Sequence, residues 1–289
     1  RDDTFLDGDV TFNMLNNGGA RFRDNVDTAS VAISGLDTGF HGMTLNSGGT
    51  VLFQEDVGTT RALSHLRTDA PGFTRFGDAN GVGNVLLRVV TSGSSTDIAD
   101  PVSLDADLEV TELETALNGG IIRFRDSINS FDNNFRALRL LTPNGARTEL
   151  WGNIGTGEDA PADAVDRALR FIQTDGVGVT QLGGNTLAQV GGNIGNGPAS
   201  ITIRTNGDPS TGAITSNNAA GDPAFPAIDM QDDVALDANV TLSVQANRNV
   251  RFYERIDSLN STARSLTINN GTGTIALDDN IGTQFRLLS

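Results

Sequence analysis

The sequence predicts an all-β chain wound as a parallel β-solenoid, with antiparallel β-sandwich repeats as the alternative. Three observations carry that expectation. Apolar and polar residues alternate in short runs such as Met43-Thr44-Leu45-Asn46, Ile201-Thr202-Ile203-Arg204 and Val240-Thr241-Leu242-Ser243-Val244, the pattern of strands with one buried face. A set of three landmarks recurs three times in the same order. The copies are unequal: Phe22 to Phe124 spans 102 residues and Phe124 to Phe252 spans 128. A stack of coils accepts insertions at its corners, whereas a sandwich strand order does not.

Each copy opens on a Leu-Asp signal: Leu6-Asp7, Leu104-Asp105 and Leu236-Asp237. A Phe-centred stretch follows: Arg21-Phe22-Arg23-Asp24, Arg123-Phe124-Arg125-Asp126 and Arg251-Phe252-Tyr253-Glu254. An apolar-Gly-Thr triplet closes it: Val57-Gly58-Thr59, Ile154-Gly155-Thr156 and Ile281-Gly282-Thr283. The degenerate repeats run over about residues 1–100, 101–230 and 231–289, the last truncated, in one continuous body from 1 to 289. Asn-Gly, Gly-Gly and Asn-Asn pairs between the strands supply the positive φ of tight corners.

Helical signals are thin. Residues 163–171 ("DAVDRALRF") fit two turns, but "TTRALSHL" at 59–66 shares their pattern, so both read as strand-like rungs. Residues 91–101, 155–164 and 207–229 hold most of the prolines and read as loops leaving the stack. The end "QFRLLS" matches "TRALSH" inside an earlier copy, which reads as a cut in mid-repeat, as in a fibre.

Composition narrows the function. The 20 basic residues, all Arg, against 36 acidic ones leave a net charge of −16, which repels phosphate backbones and anionic lipids. Nucleic-acid partners and membrane insertion are therefore not expected. A GC-rich coding bias accounts for the missing Lys, with a salt-adapted, Asp-hydrated surface as the alternative. Cysteine is absent, which removes disulfides and thiolate chemistry. No apolar run reaches the roughly 18 residues of a membrane span. The start at Arg1, without Met or signal peptide, reads as a processed or excised segment.

Candidate chemistry is weak throughout. Ser64, His65 and Asp69 name a hydrolase triad, but neighbours on a strand point to opposite faces and no G-x-S-x-G elbow is present. Paired carboxylates suit glycosidic hydrolysis, yet 36 acids make any pairing cheap. The repeated Arg residues are expected to point outward and pair with acids on adjacent coils, with an anionic-glycan site as the alternative. For calcium, the loop 77–84 with Asp78 and Asn80 lacks an EF-hand's terminal acid; Asp7/Asp9, Asp105/Asp107 and Asp232/Asp233 are further candidates, each reading as a solvated acidic turn. Gly183-Gly184 and Gly191-Gly192 are corners, and Trp151 is a core or cap residue. No catalytic, cofactor-binding or metal-ligating residue is nominated, and no enzyme activity is expected.

Residues 250–283 ("VRFYERIDSLNSTARSLTINNGTGTIALDDNIGT") resemble the degenerate repeats of large bacterial surface proteins of the filamentous-haemagglutinin-like or autotransporter-passenger type. Residues 20–59 match with extra residues near 39–42, and 122–156 depart most, with "TPNGA" in place of the Asn-Gly-Thr turn. The resemblance implies a right-handed parallel β-helix outside the cell, acting in adhesion or as a surface or matrix fibre. The expected function is a structural building block of a surface filament or adhesin stalk, self-associating head to tail and in contact with the cell surface or extracellular matrix. A carbohydrate-binding or polysaccharide-cleaving β-helix is the alternative.

Overall fold

The computed structural model describes residues 3–29, 39–69, 71–77, 86–132, 135–157, 167–183, 200–205, 226–244 and 248–288. Among them the regular structure is all β, apart from one 3-10 turn at Ala116–Asn118. Every strand pair is parallel, which the antiparallel alternative does not allow. No helix among the described residues is long and apolar enough to cross a membrane.

The strands fall into three ladders. Ladder I runs from Thr4–Leu6 and Val26–Thr28, through Val57, to Asp107–Glu112, Ala137–Leu141, Phe171–Thr174, Ile228–Met230, Val250–Phe252 and Ile275–Leu277. Ladder II runs from Val10–Met14, Met43–Ser47 and Leu63–Thr68 to Ile121–Phe124, Arg147–Leu150, Val179–Leu182, Asp233–Leu236 and Ile256–Ser258. Ladder III comprises Ala20–Phe22, Thr50–Phe53, Phe73–Phe76, Val102–Leu104, Ile128–Ser130, the bridge at Ile154, Ser200–Thr205, Asn239–Val244 and Leu266–Asn269. The chain visits them in the order I, II, III and then I again, from Thr4 to its last bridges at Ile281 and Leu287.

One strand serves two ladders. In Leu86–Ile98, residues 86–91 pair with 107–112 in ladder I and residues 96–98 pair with 122–124 in ladder II. Gly93, at φ 155°, sits where it bends. Residues 91–98 are therefore strand, a correction to the loop expected at 91–101: Ser-Gly-Ser turn chemistry here bends a strand without ending it. The strand-like reading of 59–66 holds for residues 63–66; of 163–171, residues 163–166 lie outside the described residues and only Phe171 belongs to a strand, Phe171–Thr174. Residues 78–84 and most of 155–164 and 207–229 lie outside the described residues.

Parallel, in-register pairing places like above like. Val26, Val57, Val89 and Val110 succeed one another in ladder I, all fully buried. In ladder III the Phe22, Phe53 and Phe76 rings stack at 5.1 and 5.5 Å. Each such side chain contributes about 1.5–3 kcal/mol by leaving water.

The ladders also fix the phase of the sequence repeat. From Leu6 to Leu104 the chain makes eleven steps between ladders, and from Leu104 to Leu236 it makes eleven more. Eleven is not a multiple of three, so each copy is displaced onto a different ladder. The landmark Phe lies in ladder III as Phe22, ladder II as Phe124 and ladder I as Phe252. The unequal residue spacings hide an equal number of strands, because the extra residues fall in the sequence between strands.

Candidate functional site

The repeated residues converge on one local arrangement that joins successive circuits. After each landmark Phe comes an apolar-Asp/Asn-Ser/Thr triplet: Val26-Asp27-Thr28, Ile128-Asn129-Ser130 and Ile256-Asp257-Ser258. One circuit later the apolar-Gly-Thr triplet lies against it. The Gly58, Gly155 and Gly282 N–H groups donate to the Val26, Ile128 and Ile256 carbonyls at 2.7, 2.7 and 2.8 Å. These glycines hold φ of 73°, 70° and 65°, which side-chain-bearing residues rarely adopt.

The middle residue caps the turn. Oδ1 of Asp27, Asn129 and Asp257 accepts the N–H of Thr60, Gly157 and Gln284, each two residues past its glycine, at 3.0, 2.9 and 3.0 Å. The third residue spans two circuits with its hydroxyl. Thr28, Ser130 and Ser258 donate to the carbonyls of Ala62, Ala168 and Arg286 at 2.9, 2.7 and 2.8 Å. The same hydroxyls accept the N–H of His41, Arg136 and Arg264 in their own circuit at 3.3, 2.9 and 2.9 Å. No role was assigned to these hydroxyls from the sequence; the Ser/Thr two residues past each of Val26, Ile128 and Ile256 was the available signal.

The landmark arginines fill a common slot with different chemistry. Arg21 donates to Gln54 Oε1 at 2.7 Å, Arg123 and Arg125 lie over Trp151 at 5.0 and 5.4 Å, and Arg251 pairs with Asp278 at 2.8 Å. Gln54, Trp151 and Asp278 are equivalent positions, each one circuit on. Pairing with acids on adjacent circuits, as expected from the sequence, holds for Arg123 with Asp97 and Glu149 (3.4 and 2.5 Å) and for Arg125 with Asp97 (2.5 Å). For Arg21 the partner is an amide instead. On ladder I, Arg139 likewise joins its register neighbours Glu109 (2.7 Å) and Gln173 (2.9 Å). A guanidinium reaches two rungs at once, which a lysine ammonium does less well, and this gives the all-arginine set a structural use.

Asp7 is exposed, and the other described acids proposed for calcium are held by protein donors. Asp9 accepts the Gly42 N–H; Asp105 pairs with Arg75 at 2.6 Å, Asp107 with Arg170 at 2.6 Å and Asp233 with Arg255 at 2.5 Å. Asp232 accepts the hydroxyls of Thr174 and Thr180. Among the described residues no three His, Cys, Asp or Glu side chains are grouped to hold a metal ion. Asp78 and Asn80 lie outside the described residues.

Ser64 and His65 do meet, contrary to the expectation of opposite faces. The ladder slips register between Leu63 and His65, and Ser64 Oγ lies 3.1 Å from His65 Nδ1. The other ring nitrogen faces Thr44 Oγ1 at 3.4 Å. Burial, and then Arg67, lower the imidazole's pKa. Asp69 turns away to accept the Ser47 N–H at 2.7 Å, so the three residues named from the sequence do not assemble as a triad.

No family model matches the chain, and neither a curated protein nor a solved structure matches it.

Proposed function

We propose that the three ladders close into one right-handed parallel β-helix, and that this body is a structural building block of an extracellular filament or adhesin stalk. Right-handedness is the hand that parallel strand crossovers adopt in nearly all cases. One observation carries the structural reading: the repeated residues spend their polar groups on each other. Asp27, Asn129 and Asp257, and the hydroxyls beside them, tie one circuit to the next. A repeat selected for ligand binding would leave such groups facing solvent.

Elongation by further copies of this chain fits the last circuit. Ile275, Leu277, Ile281 and Phe285 are each 40–42 % exposed there. Ile275, Leu277 and Ile281 occupy the columns that hold buried Val250, Phe252 and Ile256 one circuit earlier. The first circuit offers partly buried Val10, Phe12 and Met14 in ladder II and Phe22 in ladder III, packed on the main core, and Val10 heads the column that ends at Ile281. A second copy would continue both the apolar columns and the open parallel edges. A location outside the cell, against a cell surface or matrix, goes with this reading.

Electron microscopy and sedimentation of the chain at millimolar concentration test it. Uniform fibres are expected for the wild type. Ile281→Asp together with Leu277→Asp should give monomers with an unchanged circular-dichroism spectrum. Monomeric wild type under those conditions would remove the end-to-end part of the reading. Cleavage or retention of polysaccharide by such monomers would favour the carbohydrate-active alternative.

A further inference from the structure

Along the corner between ladders I and II, five successive circuits place polar side chains on the inside. They are Thr91 and Thr96, then Glu112, then Thr142 and Thr148, then Thr174, Asp175 and Thr180, and finally Asp232. All are buried except the half-buried Asp175, and Glu112 and Asp232 are 0 and 2 % exposed. Hydroxyls bridge the circuits. Thr91 donates to Glu112 at 2.8 Å, and Thr142 donates to Asp175 through both its hydroxyl (2.9 Å) and its N–H (2.7 Å). Thr174 and Thr180 donate to the two oxygens of Asp232 at 2.7 and 2.8 Å.

The chemistry of this seam differs from the corner between ladders III and I. There the buried acids Asp105 and Asp107 meet guanidiniums. The donors on Glu112 are the Thr91 hydroxyl and backbone N–H groups, that of Glu114 among them, and the charge facing it is Glu114. The donors on Asp232 are hydroxyls and its own backbone, and the charge facing it is Asp175. Arg139 faces Asp175, and on the following circuit Arg255 is taken up by Asp233. Buried carboxylates without a cation are costly when charged. A neutral carboxyl can instead donate its own proton to one threonine oxygen while accepting from the other threonine.

We propose that this seam is a proton-operated fastener: protonated Glu112 and protonated Asp232 each lock their corner to that of the preceding circuit, and ionisation of the two acids loosens these two junctions. Desolvation raises the pKa of Glu112, Asp175 and Asp232, that of Asp232 to about 7. For a carboxyl raised in the folded state, the folded form binds the extra proton between the ordinary value and the raised one. Stability is therefore greatest below the ordinary carboxyl range, near pH 4, and falls as pH climbs through about 7. At tenfold per pH unit over about three units, Asp232 alone shifts the folding equilibrium by up to about a thousandfold. The proton comes from solvent, and no other reactant is involved.

The test is urea unfolding of the wild type and Asp232→Asn from pH 5 to 8, with hydrogen exchange of residues 174–180 corrected for intrinsic rates. Asp100, buried on Thr74 at the corner between ladders II and III with its pKa raised to about 6, adds to the wild-type slope. The informative quantity is therefore the difference between the two proteins. We expect Asp232→Asn to lose most of the decline above pH 6 and to keep slow exchange at pH 8; Asp278→Asn, in the exposed pair with Arg251 away from the seam, should track the wild type. Parallel profiles for wild type and Asp232→Asn, or seam exchange equal at pH 5 and pH 8, would overturn the proposal. Should Asp232→Asn fail to fold, infrared titration of isotope-labelled aspartate in the wild type decides: a buried carboxylic C=O band must vanish with a midpoint near 7.

Discussion

Removing the Ser130 hydroxyl tests whether the repeated latch holds circuits together. Ser130 is fully buried, accepts the Arg136 N–H at 2.9 Å and donates to the Ala168 carbonyl at 2.7 Å. Ser130→Ala deletes both bonds and almost no volume. Two buried hydrogen bonds at about 0.5–1.5 kcal/mol each put the cost at about 1–3 kcal/mol. Ser130→Thr should recover most of it, because Thr28 fills the equivalent place in the first copy with the same two contacts. Ser258→Ala should cost about half as much: its acceptor Arg286 is exposed in the last circuit, where water replaces the lost bond. The assay is the urea midpoint, read with hydrogen exchange at residues 136 and 168 because stacked circuits can unfold in parts. A Ser130→Ala protein within about 0.5 kcal/mol of wild type, or a Ser130→Thr protein as weak as Ser130→Ala, would refute the latch.

Two further pairs of substitutions probe the same architecture. Gly58 and Gly282 are equivalent by sequence, yet an added Cβ at Gly58 runs into the Val90 carbonyl oxygen whereas at Gly282 the nearest atom is 3.3 Å away. Gly282→Ala should cost about the 1–2 kcal/mol of a left-handed residue and Gly58→Ala clearly more, read from thermal midpoints. Arg170→Met strands Asp107, whose partner lies at 2.6 Å with both side chains at most 5 % exposed, and should destabilise by about 3–5 kcal/mol; Asp107→Leu added to it should restore a large part.

Most of the local design was legible in the sequence, and the reasons it stopped are physical. Alternation gave the strands because each has one face in the core, as in Val240, Leu242 and Val244 of Asn239–Val244. The landmarks were visible because the triplets at Val26, Ile128 and Ile256 must meet the glycines at 58, 155 and 282 one circuit on. Phase was not legible. Counting residues between copies mixes strands with corner insertions, and only pairing reveals eleven steps behind both spacings. The Ser64–His65 contact was hidden for a related reason: it sits where the ladder shifts register, Leu63 pairing with Thr91 and His65 with Ser95, and no local pattern announces that shift. The threonine seam escaped notice because Thr is an ordinary strand residue on either face.

A ladder order that repeats every three strands makes deletions phase-sensitive, and this gives a sharp check on the fold. Ile122 and Thr148 are register partners in ladder II, so removing residues 122–147 takes out one whole circuit and rejoins the chain where it left. Leu150 would then lie against Ile98 in place of Phe124. The outer surface would suffer: Arg123, which separates Asp97 from Glu149, is gone, and the two carboxylates become neighbours. The shortened chain should fold with an undiminished β spectrum, be destabilised at low salt, and recover in high salt or with Glu149→Gln, because screening weakens such repulsion. Removing residues 99–106 deletes fewer residues but takes out the ladder III strand Val102–Leu104, leaving Ile98 of ladder II joined directly to Asp107 of ladder I. No corner can make that step while keeping both ladders paired, so this chain should aggregate or unfold. Equal tolerance of the two deletions would mean that the fixed order of ladders does not govern how the chain folds.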